Sequence, residues 1–167
     1  MSTHAPRRKK EAASRVEHLM TKDVCVCRPS DSLNHAAQLL WENDIGTLPV
    51  VADDGSNCLV GILTDRDICM AAYTRGGSLS NLVVDQAMSR NVKACTPMTT
   101  LEEAAHEMAE AQVHRLPVVD GSRQLLGMLS LADLAREAAR KPSAKGGTAG
   151  FALVGKTFAA IASPRST

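Results

Sequence analysis

Aromatic side chains are nearly missing from this sequence: 167 residues hold two Phe, one Trp and one Tyr. Proteins that bind single-stranded nucleic acid stack bases on such rings, so the composition argues against that function. Excess charge of one sign is missing too. The formal net charge is +1, which gives no global field to recruit nucleic acid or an anionic membrane. The one basic cluster, Arg7 to Lys10, sits in a polar stretch and reads as a solvated tail. No apolar run reaches the roughly 18 residues needed to span a bilayer. No hydrophobic segment follows the basic cluster, so a secretory signal is not expected and the expected location is the cytoplasm. Five cysteines (Cys25, Cys27, Cys58, Cys69, Cys95) contain no CxxC pair. An odd number in a cytosolic chain reads as free thiols. The five histidines supply no HExxH pattern, and no metal cofactor is expected.

What the sequence does have is an internal repeat. Met20, Val24, Cys27, Pro29, Leu33, Ala36, Ala37, Glu42 and Leu48 to Val51 recur at a constant offset of 68 residues, ending at Leu116 to Val119. The offset then falls to 66, because "ADDGSNC" in the first copy becomes "DGSRQ" in the second. That is a turn-rich segment, where length changes are tolerated.

Each copy follows one local pattern. A short strand near "DVCVC" or "NVKAC" ends at Pro29 or Pro97. A helix follows: Leu33, Ala36, Ala37 and Leu40, then Leu101, Ala104, Ala105 and Met108, lie at i, i+3, i+4 and i+7. Thr99 with Glu102 predicts a capping box for the second of these helices. "LPVV" reads as a buried strand, and an Asp-Gly turn leads into a third strand, "CLVGIL" or "QLLGML". The turn predicts an antiparallel hairpin. A second helix begins at Thr64 or Ser130. The fold class is therefore α+β (mixed α/β), with two β-α-β-β-α repeats. A copy of about 55–60 residues is marginal alone, so the two should pack through their sheets as a pseudo-twofold pair. The expected layout is a tail at 1–15, repeats at 16–74 and 85–140, a linker at 75–84, and a C-terminal tail at 141–167. Within that last part, 141–150 reads as a flexible linker and Phe151 to Ile161 as a short helix that docks on the body or on a second chain.

Two stretches share the frame Gly-x-x-(Thr/Ser)-x-x-Asp: "VGILTDRDI" with Gly61, Thr64 and Asp67, and "LGMLSLADL" with Gly127, Ser130 and Asp133. Taken once, the frame is a helix cap. Taken twice, in order and in register, it resembles the tandem cystathionine-β-synthase (CBS) domain pair, or Bateman module. The resemblance spans roughly Val16 to Arg140. "DIGTLPVV…LVGILTDRDI" is similar to small stand-alone bacterial CBS-pair proteins such as the mycobacterial hypoxic response class.

The resemblance implies a non-enzymatic regulatory module. It would bind an adenosine-containing effector (AMP, ADP or ATP, with S-adenosylmethionine and NAD as further candidates) in clefts between the repeats. It implies a homodimer, and signalling through a conformational change to a separate regulated protein. Carried onto this chain, Asp67 and Asp133 would hold ribose, and Thr64 and Ser130 would lie near phosphate. Gly61 and Gly127 would let backbone approach closely. Arg66 either reaches a phosphate or lies on the helix surface. His114 and Arg115, in "VHRLPVV", resemble the phosphate-binding stretch of the γ subunit of AMP-activated kinase. Without that resemblance they are basic residues after a helix end. The first copy has Gly46 and Thr47 at the equivalent positions. The cleft with ribose on Asp67 is thus expected to bind nucleotide better than the cleft with ribose on Asp133. The competing reading is a ligand-independent structural or stress-response protein with thiol or metal sensitivity, since Cys25 and Cys27 alternate on one strand.

Overall fold

The structure, a computed structural model, describes residues 14–140 and 147–164. The expected tail at 1–13 and the linker residues 141–146 lie outside the described residues. Among the described residues, eight α-helices and strands follow the repeat. In the first copy, α1 (Leu33–Glu42) leads to β1 (Thr47–Val51), β2 (Leu59–Thr64) and α2 (Asp65–Arg75). In the second, α3 (Leu101–Ala111) leads to β3 (Arg115–Val119), β4 (Leu125–Ser130) and α4 (Leu131–Arg140). A further helix, α5 (Gly147–Ala162), closes the described chain.

Both hairpins are antiparallel, as their turns predict, and in the same register. Thr47 faces Thr64 and Arg115 faces Ser130, and each ladder slips once, at Val50/Val51 and at Val118/Val119. Asp54 holds the first turn by accepting from the Ser56 amide at 2.9 Å. Asp120 holds the second by accepting from the amides of Ser122 and Gln124. The leading strand of each copy shrinks to one parallel bridge, Cys27 to Val50 and Cys95 to Val118. The prolines two residues on, Pro29 and Pro97, have no N–H to extend the ladder.

The capping box of α3 is one residue later than the sequence pattern predicted. Thr100, not Thr99, accepts from the Glu103 amide, and Glu103 accepts from the Thr100 amide at 2.8 Å. The Thr99 hydroxyl instead closes a turn by accepting from the Thr96 amide. Both positions satisfy the same short pattern; the repeat decides between them, because Ser32 caps α1 at the position equivalent to Thr100.

The copies are joined by exchange. The segment leading into the first copy packs on the second: Val16 lies in the second copy's core, Arg15 bridges Thr100, and Thr21 bridges Met128. The segment leading into the second copy packs on the first: Val84 and Met88 lie in its core, Val83 bridges Ser32, and Ser89 bridges Ile62. The expected linker at 75–84 belongs to this arrangement. It carries a 3-10 turn at Leu79–Asn81, and the Leu82 carbonyl accepts from the Leu33 amide at 2.8 Å. A third cluster unites the hairpins themselves, with Val51 and Leu59 against Val119 and Leu125. There the Leu59 amide donates to the Arg123 carbonyl and the Leu125 amide to the Asn57 carbonyl, both at 2.9 Å.

Helix α5 starts earlier than expected, taking in Gly147 to Gly150, which the sequence assigned to a flexible linker. It packs along α3 and α4. Thr157 and Ile161 are buried, Leu153 and Val154 join the second copy's core, and Gln112 Nε2 donates to the carbonyls of Ala160 and Ser163. No helix among the described residues is long and apolar enough to cross a membrane.

The glycines of the repeated frame serve the exchange directly. A Cβ on Gly127 would stand 2.5 Å from the Thr21 carbonyl oxygen, and one on Gly61 would stand 2.7 Å from the Met88 sulfur. Backbone cannot yield as a flexible thioether can. Gly127→Ala is therefore expected to destabilise the protein by about 2–3 kcal/mol and Gly61→Ala by about 1 kcal/mol. Urea denaturation of the two variants checks the order; equal losses would count against it.

Candidate functional site

The two repeated frames form two helix N-termini of the same construction. At α2, the Asp67 amide donates to Thr64 Oγ1 at 3.2 Å, while Asp67 Oδ2 accepts from the Thr64 amide at 2.8 Å and the Thr64 hydroxyl at 2.6 Å. At α4, Ser130 and Asp133 repeat this with distances of 3.2, 2.8 and 2.6 Å. Such a cap stabilises its helix by about 1 kcal/mol. It uses one carboxylate oxygen and leaves the other to meet whatever lies outside.

That second oxygen distinguishes the copies. Asp67 Oδ1 meets no hydrogen-bond donor among the described residues, and Asp67 is half-buried. Asp133 Oδ1 accepts from Arg136 Nη2, and Asp133 is only 8% exposed. The position equivalent to Arg136 in the first copy is Met70, which has no charge. Arg136 was missed in the sequence. Its signal was present, a basic residue one turn after the aspartate, but that spacing reads equally well as an ordinary surface pair.

Arg115 begins β3 and is half-buried. Its Nη1 lies 3.8 Å from the point where a Cβ on Gly46 would stand, and Asp65 Oδ2 lies 3.4 Å from the same point. The second copy's arginine thus reaches the first copy at the loop before β1 and the first residue of α2. Arg66 is exposed, its amide donating to the Asp65 carboxylate. His114 is exposed and is not brought to this place. Its ring stands 6.4 Å from that of Phe158 on α5, tilted by 56°, and its carbonyl accepts from the Leu131 amide. Gly61 and Gly127 lie within the strands, against the exchanged segments.

The cysteines are free, and no group of three or more metal-ligating side chains occurs among the described residues. Cys27 and Cys95 are buried at equivalent places beside the leading bridges. Burial, with the Asp31 charge adding to it, pushes the Cys27 thiol up to about 12. Burial likewise pushes Cys95 up to about 11. Both are thus poor nucleophiles at neutral pH. Cys69 is exposed.

The CBS domain model matches residues 16–73 and 83–140, more than half of the chain, and the chain belongs to that family. It is 35% identical over 122 residues to the CBS domain-containing protein YhcV of Bacillus subtilis, covering 73% of this chain and 84% of that protein. Among solved structures it is similar to Hypoxic Response Protein I, which holds two coordinated zinc ions. The identity is 31%, the TM-score 0.66, and the match covers 74% of this chain and 98% of that one. CBSX2 in complex with AMP matches with 31% identity and a TM-score of 0.66, over 75% of this chain and 96% of that one.

The thiol environments have a measurable consequence. At pH 8 a thiol reagent is expected to modify Cys69 rapidly, and Cys27 and Cys95 only after unfolding. The two buried thiols also tie stability to pH. Their folded pKa values lie above the ordinary 9.0. Below pH 9 both states keep the proton and the contribution is complete. Above it the unfolded chain loses protons first, so stability falls as pH rises from 9 toward 12. Urea midpoints at pH 8 and 10.5 should show this fall, and a Cys27→Ala/Cys95→Ala variant should show less of it.

Proposed function

We propose that the chain is a non-enzymatic regulatory module that binds an adenine nucleotide (AMP, ADP or ATP) between its two repeats. Its main site would be the cleft at the N-terminus of α2. The observation that carries this reading is the open Asp67 Oδ1 at a capped helix N-terminus, with Arg115 of the other repeat reaching to Gly46 and Asp65 beside it. A carboxylate oxygen accepts from ribose hydroxyls, helix N–H groups bind phosphate, and a guanidinium forks onto phosphate oxygens. Gly46 and Asp65 line a cavity at this helix end, and Arg66 stands exposed near it. The AMP complex of CBSX2 supports the ligand class.

The cleft at α4 differs. Asp133 is paired with Arg136, and the copy facing it offers Thr47 where the second copy has Arg115. This cleft binds more weakly or takes a less charged ligand such as S-adenosylmethionine or NAD. His114 stands exposed beside Phe158 and is expected to contribute less than Arg115. The module acts as a homodimer and passes its ligand state to a separate protein by a change in the relative placement of the repeats. Free thiols fit a reducing compartment such as the cytoplasm.

Calorimetric titration with AMP, ADP and ATP tests the assignment. Arg115→Ala is expected to weaken binding about 10- to 100-fold, since a hydrogen bond to a charged group is worth about 1.5–3 kcal/mol. Asp67→Ala should remove the tight site, while Asp133→Ala leaves it. Arg136→Met, which copies the first repeat, should strengthen the weaker site. Nucleotide found only at Asp133, or Arg115→Ala binding normally, would sink the reading. So would the lack of any thermal shift, because ligand at about 100 times its dissociation constant adds roughly 2.7 kcal/mol.

A further inference from the structure

All four aromatic side chains of this protein are exposed: Trp41 at 88%, Tyr73 at 82%, Phe151 at 54% and Phe158 at 56%. An exposed aromatic suits a contact surface where it borders an apolar groove or shares a face with other apolar residues. They fall in two places. Trp41 borders a groove between α1 and α2 that is also lined by Leu40, Ile45, Ile68 and Cys69, and Tyr73 is exposed farther along α2. Phe151 and Phe158 lie two turns apart on the outer side of α5, on the same face as Gly155, Ala159 and Ala162.

The internal repeat shows what kind of object fits the groove. Leu40, Ile45 and Ile68 are equivalent to Met108, Val113 and Leu134 of the second copy. There, that surface is covered by α5 through Leu153, Val154 and Ile161. In the first copy Leu40 and Ile68 are buried at 6% exposure each, Ile45 is half-buried, and Trp41 stands exposed at the rim of the groove with no equivalent of α5 on it among the described residues. Helix α5 cannot fill both, because its inner face is held on α3 and α4. Its outer face, however, is also apolar. Charge agrees as well. Lys156 is the one charged residue between Gly147 and Ala162, and the groove is edged by Asp44 and Asp65.

We infer that the outer face of α5 seats in the α1–α2 groove of a second copy of this chain. Two-fold symmetry then forms two such seats at once, each chain giving one helix and receiving one. This rests on the homodimer of the preceding section and specifies its surface. The helix lies beyond residue 140, where the match to the CBS domain ends.

Trp41 is the only tryptophan, and its fluorescence reports on the groove. Sedimentation of the full chain at high micromolar concentration should show a dimer, with Trp41 emission shifting to the blue as dimer forms. Phe151→Ser/Phe158→Ser removes two side chains that are more than half exposed, Phe158 also meeting the exposed His114 ring, and should weaken dimerisation at least about tenfold. Lys156→Glu should weaken it roughly two- to fivefold, and Asp44→Lys in the same chain should restore it, because an exposed pair contributes little alone. Circular dichroism checks that α5 is retained. A wild-type monomer, including one whose groove takes a foreign helix instead, overturns both this inference and the homodimer. A dimer that persists in the double Phe variant with unchanged Trp41 emission overturns this surface alone. The groove and the proposed nucleotide cleft share Gly46 and Asp65, so nucleotide affinity is measured separately by titration of the wild type and of the double Phe variant.

Discussion

The structure depends on one exchange. Each repeat completes its core with the segment that leads into the other. Val16 lies under α3 and α4, and Val84 lies against α1. Without it, each copy would leave an apolar face open and several backbone groups unpaired. The Leu33 amide would lose the Leu82 carbonyl, and the Leu101 amide would lose Ser14. A unit of that size has little stability to spare. The exchange therefore makes the pair, and not the repeat, the folding unit. It also explains the repeated glycines, which stand where the exchanged backbone crosses a strand.

The same exchange makes a sensitive cleft. The hairpins meet through Val51, Leu59, Val119 and Leu125, so the two helix N-termini are held by a shared core. Each aspartate spends one oxygen fixing its own helix. On the proposed function, a ligand at Asp67 Oδ1 would bind to a group already held in place, and little side-chain freedom would be lost on binding. Helix capping and the proposed recognition would then use different atoms of Asp67.

Much of this was legible in the sequence, where the feature repeats. The offset of 68 exposed the repeats, the Asp-Gly turns gave the hairpins, and Thr64 and Ser130 gave the starts of α2 and α4. What the sequence hid is of two kinds. Some patterns are degenerate over one residue, such as Thr99-x-x-Glu102 against Thr100-x-x-Glu103. Others are matters of spatial partner. The match of Val16 with Val84 announces equivalence, but no periodicity says that each serves the opposite copy. Helix α5 was half visible for a related reason. Gly147, Gly150 and Gly155 have poor helix propensity, and tertiary packing on α3 and α4 overrides it. Arg136 escaped because its role lies in occupying an oxygen, which spacing alone does not reveal.

A duplicated domain with two equal clefts would have two equal responses. This chain has departed from equality on one side in three independent ways. The second copy's aspartate is paired with Arg136, its outer helical face is covered by α5, and its arginine is lent to the first copy across Gly46. Each change closes the second repeat or equips the first. The departures share a direction, although they involve a helix surface, an added helix and a strand end. Independent drift would scatter them over both copies. On the proposed function, their concentration fits a division in which one repeat is the better packed and the other carries the ligand cleft and the partner groove. In such a division the stable half should carry the extra packing. It does: Thr157 and Ile161 add buried side chains to the second copy, while Trp41 stands uncovered on the first.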